Sequence, residues 1–215
     1  MTHWEPYGVA MVRMAQAFDE LAGDYDDEHH DEVARALLAF SGPVVEDRIA
    51  DVACGSGAVA LAVARTRSRA GTPILAVDLS AGMIRAGRIR AERLGSDQGI
   101  DWRVGAAMPL PVTDGGLDVI LCASSLHFLG MRALADWRRA LRPGGRAGFT
   151  LPLASQFRPS GRFAELIAAD LPLPETAGDA ASLASGAGFV DVGTRVVAVG
   201  SRSVVLTVAT NPGRA

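Results

Sequence analysis

Asp51-Val52-Ala53-Cys54-Gly55-Ser56-Gly57 is the stretch on which the fold of this 215-residue chain turns. The run Arg48 to Ala53 enters it with the character of a short strand, and Ala58 to Arg69 leaves it with that of a helix. Small residues between the two let the backbone approach a ligand closely, while the helix N-terminus offers unpaired N–H groups to an anionic group. Asp78 closes the next apolar run, Pro73 to Leu79, about twenty residues past the loop, where a carboxylate can hold ribose hydroxyls.

Outward from this centre the chain alternates strand with helix. Ser80 can cap a helix from Ala81 to Leu94 that Gly95 closes. Ile100 to Gly105 and Leu117 to Ala123 read as further strands. Met131 to Leu141 reads as a helix stopped by Pro143-Gly144-Gly145, and Arg146 to Leu151 as a fifth strand. Apolar runs that do not alternate, each followed by a helix, are what a parallel sheet covered on both faces requires. Before the core, residues 1–45 are helical, with Val9, Val12, Ala15 and Phe18 at helical spacing, then Val33, Ala36, Leu37 and Phe40. After the core at 46–152, which ends on Pro152, the segment 153–178 holds Pro159, Pro172 and Pro174 around one expected helix, Phe163 to Leu171, and reads as a lid or insertion. A helix from Ala180 to Gly188 and the strands Val190 to Val199 and Ser203 to Ala209 occupy 179–211. The short turn Gly200-Ser201-Arg202 makes those strands an antiparallel hairpin.

Composition narrows the chemistry. All 21 basic side chains are Arg, which excludes a lysine Schiff base and a P-loop lysine. A net charge of −3 offers no electrostatic case for nucleic acid. Arg does cluster at Arg65, Arg67 and Arg69 and at Arg85, Arg88, Arg90 and Arg93, read as solvated helix faces. Cys54 and Cys122 form no CxxC pair, so neither a disulfide framework nor a zinc knuckle is expected. No charge-free stretch reaches the ~20 residues of a bilayer span, and no signal-peptide pattern opens the chain, so a cytoplasmic location is expected.

The loop itself suits two kinds of nucleotide. A nicotinamide dinucleotide would use G-x-G-x-x-G/A, which Ala53, Gly55 and Ala58 fit loosely. Asp51, an acid on the strand just before the loop, suits the ammonium of an amino-acid moiety better than a pyrophosphate.

Taken together, the motifs resemble those of the class I S-adenosylmethionine-dependent methyltransferases, in particular the ubiquinone/menaquinone-type enzymes acting on small molecules. DVACGSG resembles the family's D-x-[GA]-C-G-[TS]-G, and ILAVDLSAGMIRAGRIRA its second strand and helix. MPLPVTDGGLDVILCASSLHFLG resembles the A-L-P-F-P-D-G-S-F-D segment and the Leu-His after strand four. Leu141 to Arg146 matches L-R-P-G-G, and FDELAGDYD at Phe18 to Asp26 resembles the entry segment. The resemblance implies a Rossmann-like three-layer α/β sandwich. Its mostly parallel seven-stranded sheet would end in an antiparallel C-terminal hairpin strand, with a helical N-terminal segment and a short lid. It also implies S-adenosyl-L-methionine as cofactor, with S-adenosyl-L-homocysteine as product.

Carried over residue by residue, the resemblance places Asp51 and the backbone of Ala53, Cys54 and Gly55, with Gly57, at the methionine end. Asp78 takes the ribose diol, Leu79 and Met83 flank the adenine, and Ala107 and Met108 meet it from the far side. Ala123 and Ser124 face the sulfonium, and Tyr25 closes over the cofactor. The chain departs from the pattern at Ala106, where many members carry the Asp that accepts the adenine amino group; one hydrogen bond of ~1 kcal/mol is thereby missing.

Methyl transfer needs alignment, exclusion of water and, for some acceptors, removal of a proton. His127, just past strand four, is placed either as that base or as a residue shaping the substrate site. His29 and His30, in the run Asp24 to Glu32, offer another base; a metal there is the less expected use of a run that reads as a solvated helix start. Tyr25 is the third candidate. Met11, Met14 and Phe18, with Phe157, Phe163 and Leu166 from the lid, line either an acceptor pocket or the core. The short lid points to a small acceptor, a homodimer being the other use of the insertion. A protein of this fold that catalyses a cyclisation or rearrangement, and a nicotinamide oxidoreductase, are the competing functions.

Overall fold

The computed structural model describes residues 5–23, 25, 27–67, 72–96 and 99–213, without the side chains of 5–10 and 27. Five parallel strands follow one another: β1 (Ile49–Val52), β2 (Ile74–Asp78), β3 (Ile100–Val104), β4 (Leu117–Cys122) and β5 (Leu141–Pro152). The hairpin of β6 (Val190–Val199) and β7 (Arg202–Thr210) completes the sheet, in the order β3-β2-β1-β4-β5-β7-β6. β7 runs antiparallel to both β5 and β6. β1 and β2 are buried along their whole length, which is why their sequences run apolar without alternation.

Successive residues of the central strands point to opposite faces and enter different cores. Ala50, Val52, Val77, Ile120 and Phe149 pack with α6 (Met131–Ala140) and α8 (Ala177–Gly186), through Leu134, Trp137 and Ala184. Ile49, Ala76, Val119 and Leu121 pack with α2 (Asp27–Ser41), α3 (Ala58–Ala64) and α4 (Ala81–Arg93), through Leu37, Leu61 and Ile84. This is the three-layer sandwich expected from the sequence. The helices after β1 and β4 lie on opposite faces, so a crevice opens at the carboxyl ends of those two strands. The helix α1 (Glu5–Leu21) packs on α4 beside that crevice.

Local reading fails where distant partners decide. The stretch read as a helix stop, Pro143-Gly144-Gly145, is already inside β5. That strand begins at Leu141 because Asn211 reaches back across the sheet: its side-chain amide donates to the carbonyls of Arg138, Leu141 and Arg142 at 3.1, 2.9 and 3.3 Å. The expected helix Phe163 to Leu171 is a single turn, α7 (Arg162–Glu165). One turn not expected, α5 (Leu126–Leu129), follows β4. α8 begins three residues early, at Ala177, because Thr176 and Asp179 form a reciprocal capping box. α3 stops at Ala64; Arg69 lies outside the described residues. Two arginines read as solvated are instead tied to the fold. Arg67 donates to the carbonyls of Val44 and Asp47, and Arg90 grips both Asp31 oxygens at 2.9 Å and the Ser56 hydroxyl at 3.0 Å.

Candidate active site

The loop after β1 owes its shape to residues that tolerate a left-handed backbone. Ala53, Gly55 and Gly57 all have positive φ, and Gly57 lies under the Trp102 ring so closely that a Cβ there would stand 2.2 Å from it. Asp51 is buried and accepts a 2.9 Å hydrogen bond from the Ala60 N–H in the first turn of α3. Burial pushes its carboxyl up to about 7, against the pull of that N–H. Asp78 accepts from the Gly55 N–H through Oδ2 and from the Ser80 N–H through Oδ1, both at 2.8 Å. Its pKa is also raised, by burial first, although both amides favour the charged form. Cys54 is buried and its thiol is pushed up by desolvation.

A cavity of about 530 Å³ opens over this loop. Its floor is Ala53, Gly55, Asp78, Leu79, Ser80, Ala106, Ala107 and Met108. Its roof and far wall are apolar: Met11, Met14, Ala15 and Phe18 from α1, Phe128 and Leu129 from α5, and Leu166 and Ile167 from the lid. Arg132, Glu165 and Asp170 are its other charged groups. Tyr25 stands at the wall with its hydroxyl 3.2 Å from where a Gly55 side chain would begin, so glycine is required there for the two to approach.

Of the residues singled out by sequence, Tyr25, Ala53, Gly55, Asp78, Leu79, Ala106, Ala107 and Met108 meet at this cavity. Met11, Met14, Phe18 and Leu166 join them, whereas Phe157 packs on His127 and Phe163 on Phe18. Asp51, Cys54, Gly57, Met83, Ala123 and Ser124 surround the floor without lining it. Met83 is fully buried, and Ser124, with φ +60°, donates its N–H to Thr150 at 2.8 Å. His30 stacks flat on Tyr25, ring centres 4.4 Å apart. His127 is 4% exposed and packs on Phe128 and Phe157; its Nδ1 has no hydrogen-bond partner among the described residues, and burial lowers its pKa to about 4. Asp24 and Asp26 of the acidic run lie outside the described residues. Among those described, no group of His, Cys, Asp and Glu could hold a metal ion, and no helix is long and apolar enough to cross a membrane.

Ser125, Leu129, Arg132 and Ala168 to Asp170 escaped the sequence reading. Ser125 was findable: it lies three residues past the carboxyl end of β4, where ligands of such sheets lie, and its hydroxyl donates to the Ala53 carbonyl at 3.1 Å.

The sheet order, the loop after β1 and the acid ending β2 define a nucleotide-binding methyltransferase fold. Residues 49–145 match the family model described as a methyltransferase domain. The chain belongs to the class I S-adenosylmethionine-dependent methyltransferases. It is 33% identical over 150 residues to the ubiquinone/menaquinone biosynthesis C-methyltransferase UbiE of Acidiphilium cryptum, a match covering 66% of this chain and 59% of that one. It is 30% identical over 146 residues to the aklanonic acid methyltransferase DauC of Streptomyces sp. strain C5, covering 66% of each. A solved S-adenosylmethionine-dependent methyltransferase from Aquifex aeolicus superposes with a TM-score of 0.67 at 20% identity, covering 89% of this chain and 98% of that one. The chain thus spans about three fifths of the length of the quinone-pathway relative.

Proposed function

We propose that this protein transfers a methyl group from S-adenosylmethionine to a small, largely apolar acceptor. The observation that carries the reading is the Asp78 carboxylate, pinned by the Gly55 and Ser80 amides at the floor of a cavity whose opposite wall is apolar. The residues fit the cofactor. Asp78 has oxygen lone pairs left for a ribose diol, Gly55 leaves room beneath Tyr25, and the buried Asp51 gains a countercharge from an ammonium placed beside it. When bound, the cofactor supplies an electrophilic methyl on a sulfonium.

The chain's own residues do the rest. Asp78 and the loop from Asp51 to Gly57 bind and orient, Leu79, Met83, Ala106, Ala107 and Met108 bracket the adenine side, and Ala123 and Ser124 border the sulfonium end. The α1 roof and lid exclude water, and Phe18, Phe128 and Leu166 offer apolar surface to the acceptor. For a proton, Tyr25 at the wall, backed by His30, is the first group in reach. His127, buried behind Phe128 and Phe157 and off the cavity lining, is the weaker acceptor, since burial disfavours its protonated form. We read the whole chain as one domain, with a single acceptor site under α1.

Methyl-labelled cofactor incubated with hydroxyquinone and aromatic polyketide acceptors tests this; turnover that leaves no label in the product would establish a rearrangement instead. Tyr25→Phe, His30→Gln and His127→Gln then separate the three proton acceptors by their pH–rate profiles. The nicotinamide reading, which Asp51 disfavours, requires NAD(H) to bind and S-adenosylhomocysteine not to.

A further inference from the structure

Asp19 sits in the last turn of α1, where the carbonyl end of its own helix disfavours a negative charge and the turn itself carries no basic residue; the nearby charge that favours it is Arg85 of α4. α4, conversely, has no acid in its own first turn. Asp19 supplies one from across the crevice: its Oδ1 accepts from the Ser80 hydroxyl at 2.6 Å and from the Gly82 N–H at 2.7 Å, some sixty residues away in sequence. The approach is close enough to require glycine, since a Cβ on Gly82 would stand 2.9 Å from that oxygen and 3.1 Å from the Asp19 Cα.

The contact continues inward. Ser80 gives its N–H to Asp78 Oδ1, and Asp78 Oδ2 takes the Gly55 N–H. A continuous path of hydrogen bonds, joined through the covalent frame of Ser80, therefore runs from the α1 roof to the acid at the cavity floor and on to the glycine loop. Beyond the end of α1, the Tyr25 hydroxyl stands over Gly55 of that same loop. The face of α1 held down in this way is the one that brings Met11, Met14, Ala15 and Phe18 over the cavity.

We infer that Asp19 is a positioning residue that latches the α1 roof to the cofactor floor, so that cofactor occupancy and closure over the acceptor are coupled through Ser80 and Asp78. The inference rests on the reading of Asp78 as the ribose ligand. Neither the cofactor nor the acceptor touches Asp19 itself in this scheme. Removing its carboxylate loosens the roof and leaves the apolar lining intact.

Calorimetric titration with S-adenosylhomocysteine, combined with hydrogen exchange, tests the latch on the full chain. Asp19→Ala is expected to weaken binding by about tenfold and Asp19→Asn by about threefold, in line with the loss of charged hydrogen bonds. Gly82→Ala, whose Cβ would crowd the Asp19 carboxylate oxygen and Cα and so pry α1 away while leaving the charge in place, is expected to weaken it too. Arg13→Ala, an exposed change on the same helix, should have no effect. In the parent, the ligand should slow exchange of residues 11–21 along with residues 49–61; in Asp19→Ala only the second set should respond. Parent-like affinity in folded Asp19→Ala, or ligand-induced protection of α1 surviving in it, would overturn the latch while leaving the cofactor reading standing. A parent that fails to bind S-adenosylhomocysteine would remove the cofactor reading and the inference with it.

Discussion

At the scale of single residues, Ala106 presents a methyl group to the cavity at the position where the family resemblance implies an acid. In the proposed cofactor pose, an aspartate introduced there would accept from the adenine amino group. Ala106→Asp should tighten S-adenosylhomocysteine binding about fivefold, the worth of one net hydrogen bond, in a calorimetric titration. His127 makes a prediction of a different kind. Its folded-state pKa lies near 4 against 6.5 unfolded, so the unfolded chain binds the extra proton between those values and stability rises with pH across that window. The contribution is fully present above pH 6.5 and falls away as pH drops towards 4, by about 3 kcal/mol for a side chain this buried. Chemical denaturation of His127→Gln at a series of pH values should show a correspondingly flatter acid limb than the parent. Asp51 titrates in the opposite sense, and comparing variant with parent cancels it.

At the scale of elements, the seat between β1 and α3 depends on Gly57 lying flat under Trp102. Gly57→Ala adds a methyl at a left-handed position with an indole in its way, and should cost about 2–4 kcal/mol in urea denaturation. Combining it with Trp102→Leu should recover part of that loss, which strain at φ alone would not allow. The same elements show what a sequence can disclose. β1, β2, the glycine loop after β1 and the Ser80 cap were legible because their determinants are neighbours: small residues, a run of apolar ones, a hydroxyl three residues before the N–H that it accepts. The start of β5, the single turn α7 and the Asp19 contact were not, since each is decided by partners far along the chain: Asn211 for the first, the packing of Phe163 on Phe18 for the second, Ser80 and Gly82 for the third. Arg90 makes the point from the other side. Its helical neighbours read as solvated, yet it joins α4 to α2 and to the glycine loop at once. The acids and glycines of the site were visible in sequence, and its apolar roof only partly so, because Met11 and Phe18 carry no mark that distinguishes a pocket wall from a core.

At the scale of the whole molecule, the binding site draws on the N-terminal helix, the loops after four strands and the lid, so ligand binding should stabilise the fold as a unit. S-adenosylhomocysteine at a hundred times its Kd should add about 2.7 kcal/mol, read as a rise of roughly 5–10 °C in Tm for a chain of this size. NAD at the same concentration should leave Tm unchanged. One residue near the far end of the chain holds the sheet together in a way that also bears on its ageing. Asn211 is the chain's one asparagine, it is 2% exposed, and Pro212 follows it. Spontaneous deamidation requires the next residue's backbone nitrogen to attack the side-chain amide, and a proline nitrogen has no proton to lose. The competing route, in which the side-chain nitrogen cleaves the backbone, needs that nitrogen to leave the three carbonyls that it serves. A preparation stored for weeks in warm alkaline buffer should therefore keep a single isoelectric form with respect to asparagine, its age recorded elsewhere, in the six methionine sulfurs.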